Sequence, residues 1–100
     1  MLKKRFLKSK PICKVTFYLP EAVEGDQVYL VGDFNDWSEH ATPMDQLKDG
    51  RFKATLDLEA DKEYQFRYLV DGEWHNDWEA DKYAPNPFSG DNSVVSTVPK

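Results

Sequence analysis

Short stretches in which apolar and polar residues alternate are the feature that most constrains the fold of this 100-residue chain. The clearest stretch runs from Arg51 to Leu58, where every second residue is apolar. Successive side chains of a strand point to opposite faces of a sheet, so strict alternation predicts a strand with one buried face. The chain has no comparable helical periodicity. These patterns predict an all-β protein.

The same reasoning predicts further strands over residues 12–19, 27–31, 64–70, 73–75 and 92–98. Asp71-Gly72 is a strong hairpin signal between two of them. Residues 76–90 are rich in Asn, Asp, Pro and Gly, and we expect them to form a long loop over one end of the sheet. Short strands at this spacing indicate a small β-sandwich.

Length and composition indicate one domain that can bury a core without disulfides or metal. Cys13 is the single cysteine, so an intramolecular disulfide is excluded and a reducing compartment is favoured. The sequence contains neither the apolar run of a secretory signal nor a stretch long enough to span a membrane. We therefore expect a cytoplasmic protein that does not bind membranes.

Charge is distributed unevenly along the chain. The formal net charge is −5, yet the first ten residues carry five basic side chains and no acidic one. The acidic remainder argues against nucleic-acid binding. The basic segment could touch an acidic partner, an anionic membrane or RNA, but a frayed, solvated terminus is the favoured interpretation. We expect a basic N-terminal extension over residues 1–11 and the folded domain over residues 12–98.

The segment from Leu30 to Trp37, L-V-G-D-F-N-D-W, is expected to leave a strand and form a tight polar turn. Gly32 allows either a positive φ or the close approach of a neighbour, and the Asp and Asn residues favour a turn. Of the two aromatic residues in the turn, we expect Phe34 to point inward and Trp37 to be exposed.

A second aromatic candidate, Trp74, follows the Asp71-Gly72 hairpin and is flanked by the polar residues Glu73 and His75. Arg67 alternates with Phe66 and Tyr68, so the hairpin could bring its side chain beside Trp74. Two Trp rings can stack on the apolar C–H faces of glucose units, and a guanidinium offers planar donors for pairs of hydroxyls. The residues Trp37, Trp74 and Arg67 thus predict a sugar-binding face.

Three motifs in order carry a family resemblance over about residues 12–98. They are V-G-D-F-N-D-W in the turn, Y-Q-F-R-Y-L-V-D-G-E-W around the hairpin, and G-D-N-S-V-V near the end. With them the chain resembles the early-set domain of isoamylases and glycogen-branching enzymes, which is carbohydrate-binding module family 48. This family includes the glycogen-binding domain of the AMP-activated protein kinase β subunit. The resemblance implies an immunoglobulin-like early-set β-sandwich.

The resemblance also implies a set of carbohydrate-binding residues. Trp37 and Trp74 match the Trp residues that stack on glucose, while Arg67 and Asn92 match residues that hydrogen-bond hydroxyls. Arg67 replaces the Lys of the kinase domain. Phe88 stands where that domain inserts a Leu into the curve of the glucan, and Gly90 stands where it has Thr. Phe88 is either a bulkier wedge or a cover for the core.

Other chemistry is weakly supported. A third Trp, Trp78, could extend the aromatic platform, but the favoured interpretation is that it pins the long loop to the sheet with Tyr83. His40 and His75 are far apart in sequence and lack the further ligands of a zinc site. The lone Cys13 and the surplus of carboxylates provide no recognisable catalytic pattern. We expect neither a metal, nor a cofactor, nor enzyme activity.

The sequence therefore predicts a non-catalytic, monomeric module that binds an α-glucan such as glycogen, starch or maltooligosaccharides. The alternative is a structural or regulatory module that docks on a glycogen-metabolism enzyme or another protein partner, because an exposed pair of Trp rings also suits a protein interface.

Overall fold

The computed structural model describes residues 2–19, 23–86 and 90–98. The strands are, in chain order, β1 (Leu2–Phe6), β2 (Ile12–Tyr18), β3 (Val28–Gly32), β4 (Asp45–Gln46), β5 (Phe52–Glu59), β6 (Glu63–Val70), β7 (Glu73–His75), β8 (Lys82–Pro85) and β9 (Asp91–Ser96). A 3-10 turn, Asp33–Asn35, follows β3. Within these ranges, no helix has the length and apolar character needed to cross a bilayer.

Two antiparallel sheets form the sandwich, which confirms the predicted fold class. One sheet has the strand order β1-β2-β5-β4. The other has the order β3-β6-β9-β8, and β7 pairs with β6 beyond the end of β9. Each predicted strand is present within two residues at either end, because alternating burial fixes which residues must lie in a strand.

The core lies between the two sheets and is rich in aromatic residues. The Phe17 ring on β2 meets the Phe66 ring on β6 edge to face, with centroids 5.0 Å apart. Phe34 packs against the same cluster, with its ring centroid 5.5 Å from that of Phe17. Phe34 is therefore the inward-pointing aromatic of the turn, as predicted, and it ties that turn to both sheets.

The expectation of a frayed N-terminus is wrong, because residues 2–6 form β1 and pair along their length with β2. Lys4 points to the side of the sheet that faces the core, and its ammonium group forms an ion pair with Asp81, just before β8 of the other sheet. The carboxylate of Asp81 also accepts a hydrogen bond from the backbone N–H of Ser96, 2.8 Å away. These contacts join the edges of the two sheets.

The expectation of an uninterrupted loop over residues 76–90 is also wrong, because it contains β8, which pairs with β9. The loop before β8 is held by Asp77, which is fully buried. Its carboxylate accepts hydrogen bonds from the Tyr68 hydroxyl, at 2.8 Å, and from the N–H of Glu79. Its own N–H donates to the Ser93 hydroxyl, at 2.9 Å. Residues 77–79 are thereby fixed against the sheet.

Gly32 is required by close packing rather than by an unusual backbone conformation. Its φ of −175° is extended and open to any residue. A Cβ atom at this position would lie 2.6 Å from the carbonyl oxygen of Gln65 and 2.8 Å from the Cβ of Phe66. Asn35 completes the turn by accepting a hydrogen bond from the Gly32 N–H and donating one to the Leu30 carbonyl.

We expect Gly32→Ala to lower the free energy of unfolding by about 1–3 kcal/mol, because the new methyl group must displace a strand backbone. Urea denaturation measures the loss. Ser38→Ala, in the exposed part of the same segment, is the control and should change stability by less than about 0.5 kcal/mol. Equal stability of the two variants would contradict this account of Gly32.

A pH dependence follows from the buried Tyr68 hydroxyl. Burial, together with the neighbouring Asp77 carboxylate, raises the pKa of Tyr68 well above its ordinary value. The unfolded state then loses its proton first, so the free energy of unfolding should fall by up to about 1.4 kcal/mol per pH unit above about pH 10.

Tyr68→Phe should remove this alkaline component, whereas Tyr29→Phe should keep it because Tyr68 is still present. Urea denaturation between about pH 9 and pH 11 measures both. An alkaline slope that is identical in the two variants would show that Tyr68 is not its source.

Candidate functional site

The outer face of the β3-β6-β9-β8 sheet, which points away from the core, carries most of the predicted site. Directly paired residues share a face, so the register of the strands defines two rows of side chains across it. One row is Tyr29, Leu69 and Trp74, on β3, β6 and β7. The next row contains Val31 and Arg67. The sheet thus brings Arg67 and Trp74 together, as the alternation of β6 predicts.

Trp74 is the most open aromatic side chain of this face. It is 41% exposed and lies on the three-residue strand that returns from the Asp71-Gly72 hairpin. The guanidinium carbon of Arg67 lies 5.9 Å from the centre of the Trp74 ring, within the range of a cation–π contact. A strand fixes the backbone of Trp74, so little backbone ordering is needed when the ring stacks on a flat ligand.

Arg67 is half-buried and carries an unsatisfied donor. Its Nε is the one buried side-chain polar atom without a hydrogen-bond partner among the residues that the structure describes. Such a donor costs about 1–3 kcal/mol. Because the Nε is buried, a ligand with oxygen acceptors can use only the outer N–H groups of the guanidinium.

Asn92 is 7% exposed, and its side-chain amide is already engaged. It donates to the Gln65 side-chain oxygen and accepts from the Asn86 side-chain amide, both at 3.0 Å. The Asn92 amide nitrogen can still donate one hydrogen bond, and its oxygen can still accept one. In this arrangement Asn92 anchors the start of β9 beside Gln65. It can contact a ligand only through the remaining donor and acceptor.

The expected exposure of Trp37 is only half right, because the residue is half-buried. Asp36 and Trp37 both have a φ of 56°, which turns the chain back. The indole Nε1 donates to one carboxylate oxygen of Asp33, at 2.8 Å. The other oxygen accepts from the Gln65 N–H, at 2.7 Å. The turn is thus tied to β6 two residues from Arg67, which brings Trp37 to the rim of the outer face.

The interpretation of Trp78 as a pin for the long loop is wrong, since its side chain is 63% exposed. The neighbouring Asp77 is the buried anchor, and the Tyr83 hydroxyl secures the loop by donating to the Asp77 carbonyl oxygen at 2.6 Å. A Trp side chain has a single donor, whereas a carboxylate and a hydroxyl can satisfy several backbone groups. The predicted site residue Phe88 lies outside the described residues.

The sequence analysis missed Tyr29 and Gln65. Both occupy outer-face positions that the alternation of β3 and β6 already indicates. Tyr29 meets His40 edge to face, with ring centroids 4.8 Å apart. Gln65 links the turn, through its backbone, to Asn92, through its side chain. The feature that could have identified both residues is their strand register relative to Arg67 and Trp74, not their residue type.

Among the described residues, the side chains considered for metal binding do not form a cluster. No group of three or more His, Cys, Asp or Glu side chains that could hold a metal occurs within residues 2–19, 23–86 and 90–98. Cys13 is buried in the core, and its burial raises the pKa of the thiol. A raised pKa keeps the thiol protonated and therefore a poor nucleophile.

Comparison with known proteins identifies the family. Residues 15–97 match the family described as the glycogen recognition site of AMP-activated protein kinase. The pig 5'-AMP-activated protein kinase subunit beta-1 is 43% identical over 53 residues, which cover 53% of this chain and 40% of that protein. The human subunit is 42% identical over 53 residues, 18% of its length.

A bacterial enzyme aligns over more of the chain. The 1,4-alpha-glucan branching enzyme GlgB of Aquifex aeolicus (strain VF5) is 33% identical over 88 residues, covering 82% of this chain and 14% of the enzyme. The chain spans less than half the length of these curated relatives. The family match and the β-sandwich agree, and the chain belongs to the glycogen-recognition domains of the AMP-activated protein kinase type, within carbohydrate-binding module family 48.

Proposed function

We propose that this chain is a non-catalytic module that binds α-glucans, meaning glycogen, starch or maltooligosaccharides, as a monomer in the cytoplasm. The observation that carries the proposal is the open Trp74 ring beside Arg67 on a rigid sheet. The binding module comprises residues 12–98, and residues 1–11 are a basic extension that adds β1 to it. Stacking and hydrogen bonding to hydroxyls need no cofactor.

Trp74 supplies the main apolar contact of the proposed site. Covering its exposed ring with a glucose face contributes about 2 kcal/mol before the costs of ordering the ligand. Arg67 donates to neighbouring hydroxyls through the outer N–H groups of its guanidinium. Trp37 borders the same glucan, Asn92 holds the start of β9, and Phe88 is the proposed wedge. A site with so little buried area binds in the micromolar to millimolar range.

We expect Trp74→Ala to weaken the binding of maltoheptaose at least about tenfold, because the ring contributes more than 1.4 kcal/mol. Titration followed by amide NMR shifts measures the dissociation constant. Trp74→Phe should retain part of the affinity, because a smaller ring still stacks. All three proteins should melt within a few degrees of one another, since Trp74 lies outside the core.

Arg67→Lys tests the hydrogen-bonding role separately, because it keeps the charge and loses the planar fork. The absence of any saturable shift in the natural chain at about 10 mM maltoheptaose, a concentration that detects even millimolar affinity, would overturn the proposal.

A second candidate function, protein docking, is favoured by the opposite face of the sandwich. The outer face of the β1-β2-β5-β4 sheet carries five cations, which are Lys3, Arg5, Lys14, Arg51 and Lys53, and four carboxylates, which are Asp45, Asp49, Asp57 and Glu59. Glu59 forms an ion pair with Lys62. Lys3 and Arg51 flank the Tyr18 ring, at 5.6 and 5.5 Å from its centre. A basic face on an acidic chain favours an acidic surface on a glycogen-metabolism enzyme.

The double variant Arg5→Glu, Lys14→Glu tests this face. We expect it to slow association with a glycogen branching enzyme from the same organism about tenfold at low salt, because exposed charges mainly steer encounters. Lys82→Glu, on the other sheet, is the control for the single reversals and should change the rate less than Arg5→Glu or Lys14→Glu alone. Binding that is lost in Trp74→Ala but kept in the double variant would assign the contact to the glucan-binding face instead.

A further inference from the structure

We propose a second α-glucan site, centred on Trp78 and separate from the Trp74 platform. The proposal rests on the proposed function and extends it. Trp78 is the most exposed aromatic residue among those described, and it lines a cavity of about 560 Å³. The other lining residues are Val23, Glu24, Val70, Asp71, Glu73 and His75.

The cavity lies on the opposite side of β7 from the Trp74 platform. Trp74 pairs with Leu69 and shares its outward direction. Glu73 and His75 pair with Val70 and Tyr68, whose side chains point into the core, so they face the other way. One short strand thus separates Trp74 from the cavity that Trp78 lines, and one glucose unit cannot stack on both rings.

Trp78 is presented by a fixed segment of chain. Its neighbour Asp77 is fully buried and bonded through both its carboxylate and its N–H. The Glu79 N–H, on the other side of Trp78, donates to that same carboxylate at 2.8 Å. The backbone that carries the exposed ring is therefore held on both sides, and ligand binding does not require this segment to become ordered.

The carboxylates of the cavity offer hydrogen-bond acceptors to a hydroxyl-rich ligand. Asp71 accepts hydrogen bonds from the N–H groups of Asp26 and Gln27, at 2.8 to 3.1 Å. Glu73 lies 3.9 Å from the His75 imidazole. Glu24 has no ion pair with any part of the chain that the structure describes. The carboxylate oxygens of all three residues thus have lone pairs available for sugar hydroxyls.

The walls of the cavity complete a sugar-binding surface. Val23 provides an apolar contact for C–H groups, and the Trp78 ring provides a stacking surface. An apolar ring beside oxygen acceptors matches the two kinds of surface that a glucose unit presents. The same combination on the first face is Trp74 with Arg67, where donors replace acceptors.

Two sites on two sides of β7 suit a branched polymer. Glycogen offers many chain ends close together, so one module could hold two of them at once. The second contact is then intramolecular, and overall affinity exceeds that of either site without any new interaction. A short linear glucan gains no such advantage.

The experiment follows the indole N–H signals of Trp37, Trp74 and Trp78 by NMR during titration with maltotriose, in the natural chain, Trp74→Ala and Trp78→Ala. We expect the Trp78 signal to shift saturably even in Trp74→Ala, and the Trp74 signal to shift in Trp78→Ala. Trp78→Ala should also weaken binding to glycogen about tenfold, and Trp78→Tyr should restore most of it. Melting temperatures confirm that each variant folds.

The outcomes separate this proposal from the proposed function. A Trp78 signal that never shifts, while that of Trp74 does, overturns the second site and leaves the first intact. Silence of both signals overturns the glucan-binding function itself. A Trp78 shift that disappears in Trp74→Ala indicates one extended site and also overturns the proposal. A shift of Trp78 with tetralysine but not with maltotriose assigns the cavity to a cationic protein segment instead.

Discussion

The packing of Phe17 against Phe66 and Phe34 is the contact on which the rest of the structure depends. Phe17 comes from one sheet and Phe66 from the other, so their edge-to-face contact fixes the separation of the layers. Phe34 extends the cluster into the turn that follows β3, and Gly32 allows that turn to lie directly against β6. Because the turn is anchored from inside, its polar residues can hold Trp37 at the rim of the outer face. A single buried cluster thus supports both the stability of the sandwich and the shape of the edge that we propose binds glucan.

Alternation predicted the strands that bury one face in the core, but it did not predict three strands at sheet edges, β1, β4 and β8. The sequence of β1, L-K-K-R-F, resembles a solvated tail, and its order comes from hydrogen bonds to β2 and from the ion pair between Lys4 and Asp81. Strand β8 ends in Pro85, which is tolerated at a sheet edge but weakens any strand signal. Both strands depend on partners distant in sequence, and local propensity carries no information about such partners.

The aromatic site was predictable to the extent that it follows from register. Arg67 and Trp74 share a face because the hairpin between them has a fixed length, and the sequence contains that length. The exposure of individual Trp residues was not predictable in this way. Trp37 is half-buried because Asp33 binds its indole N–H, and Trp78 is exposed because Asp77 and Tyr83 already secure its loop. Three-dimensional hydrogen-bond geometry determines which polar side chain is buried, and residue type alone does not.

Exposed Trp rings on fixed backbone segments are costly for a small domain, which makes their placement informative. Covering an exposed large aromatic with core residues would contribute about 2 kcal/mol to folding, yet Trp74 and Trp78 both remain in solvent. Each stands beside a residue that is rigidly anchored, Leu69 across the strand for Trp74 and Asp77 along the chain for Trp78. The backbone that carries each ring is therefore already ordered in the folded protein. A ligand that covers either ring gains the apolar contribution with little further loss of backbone entropy. Weak, rigid and repeated contacts of this kind suit a polymeric ligand, because affinity then grows with the number of chains that the module can hold together.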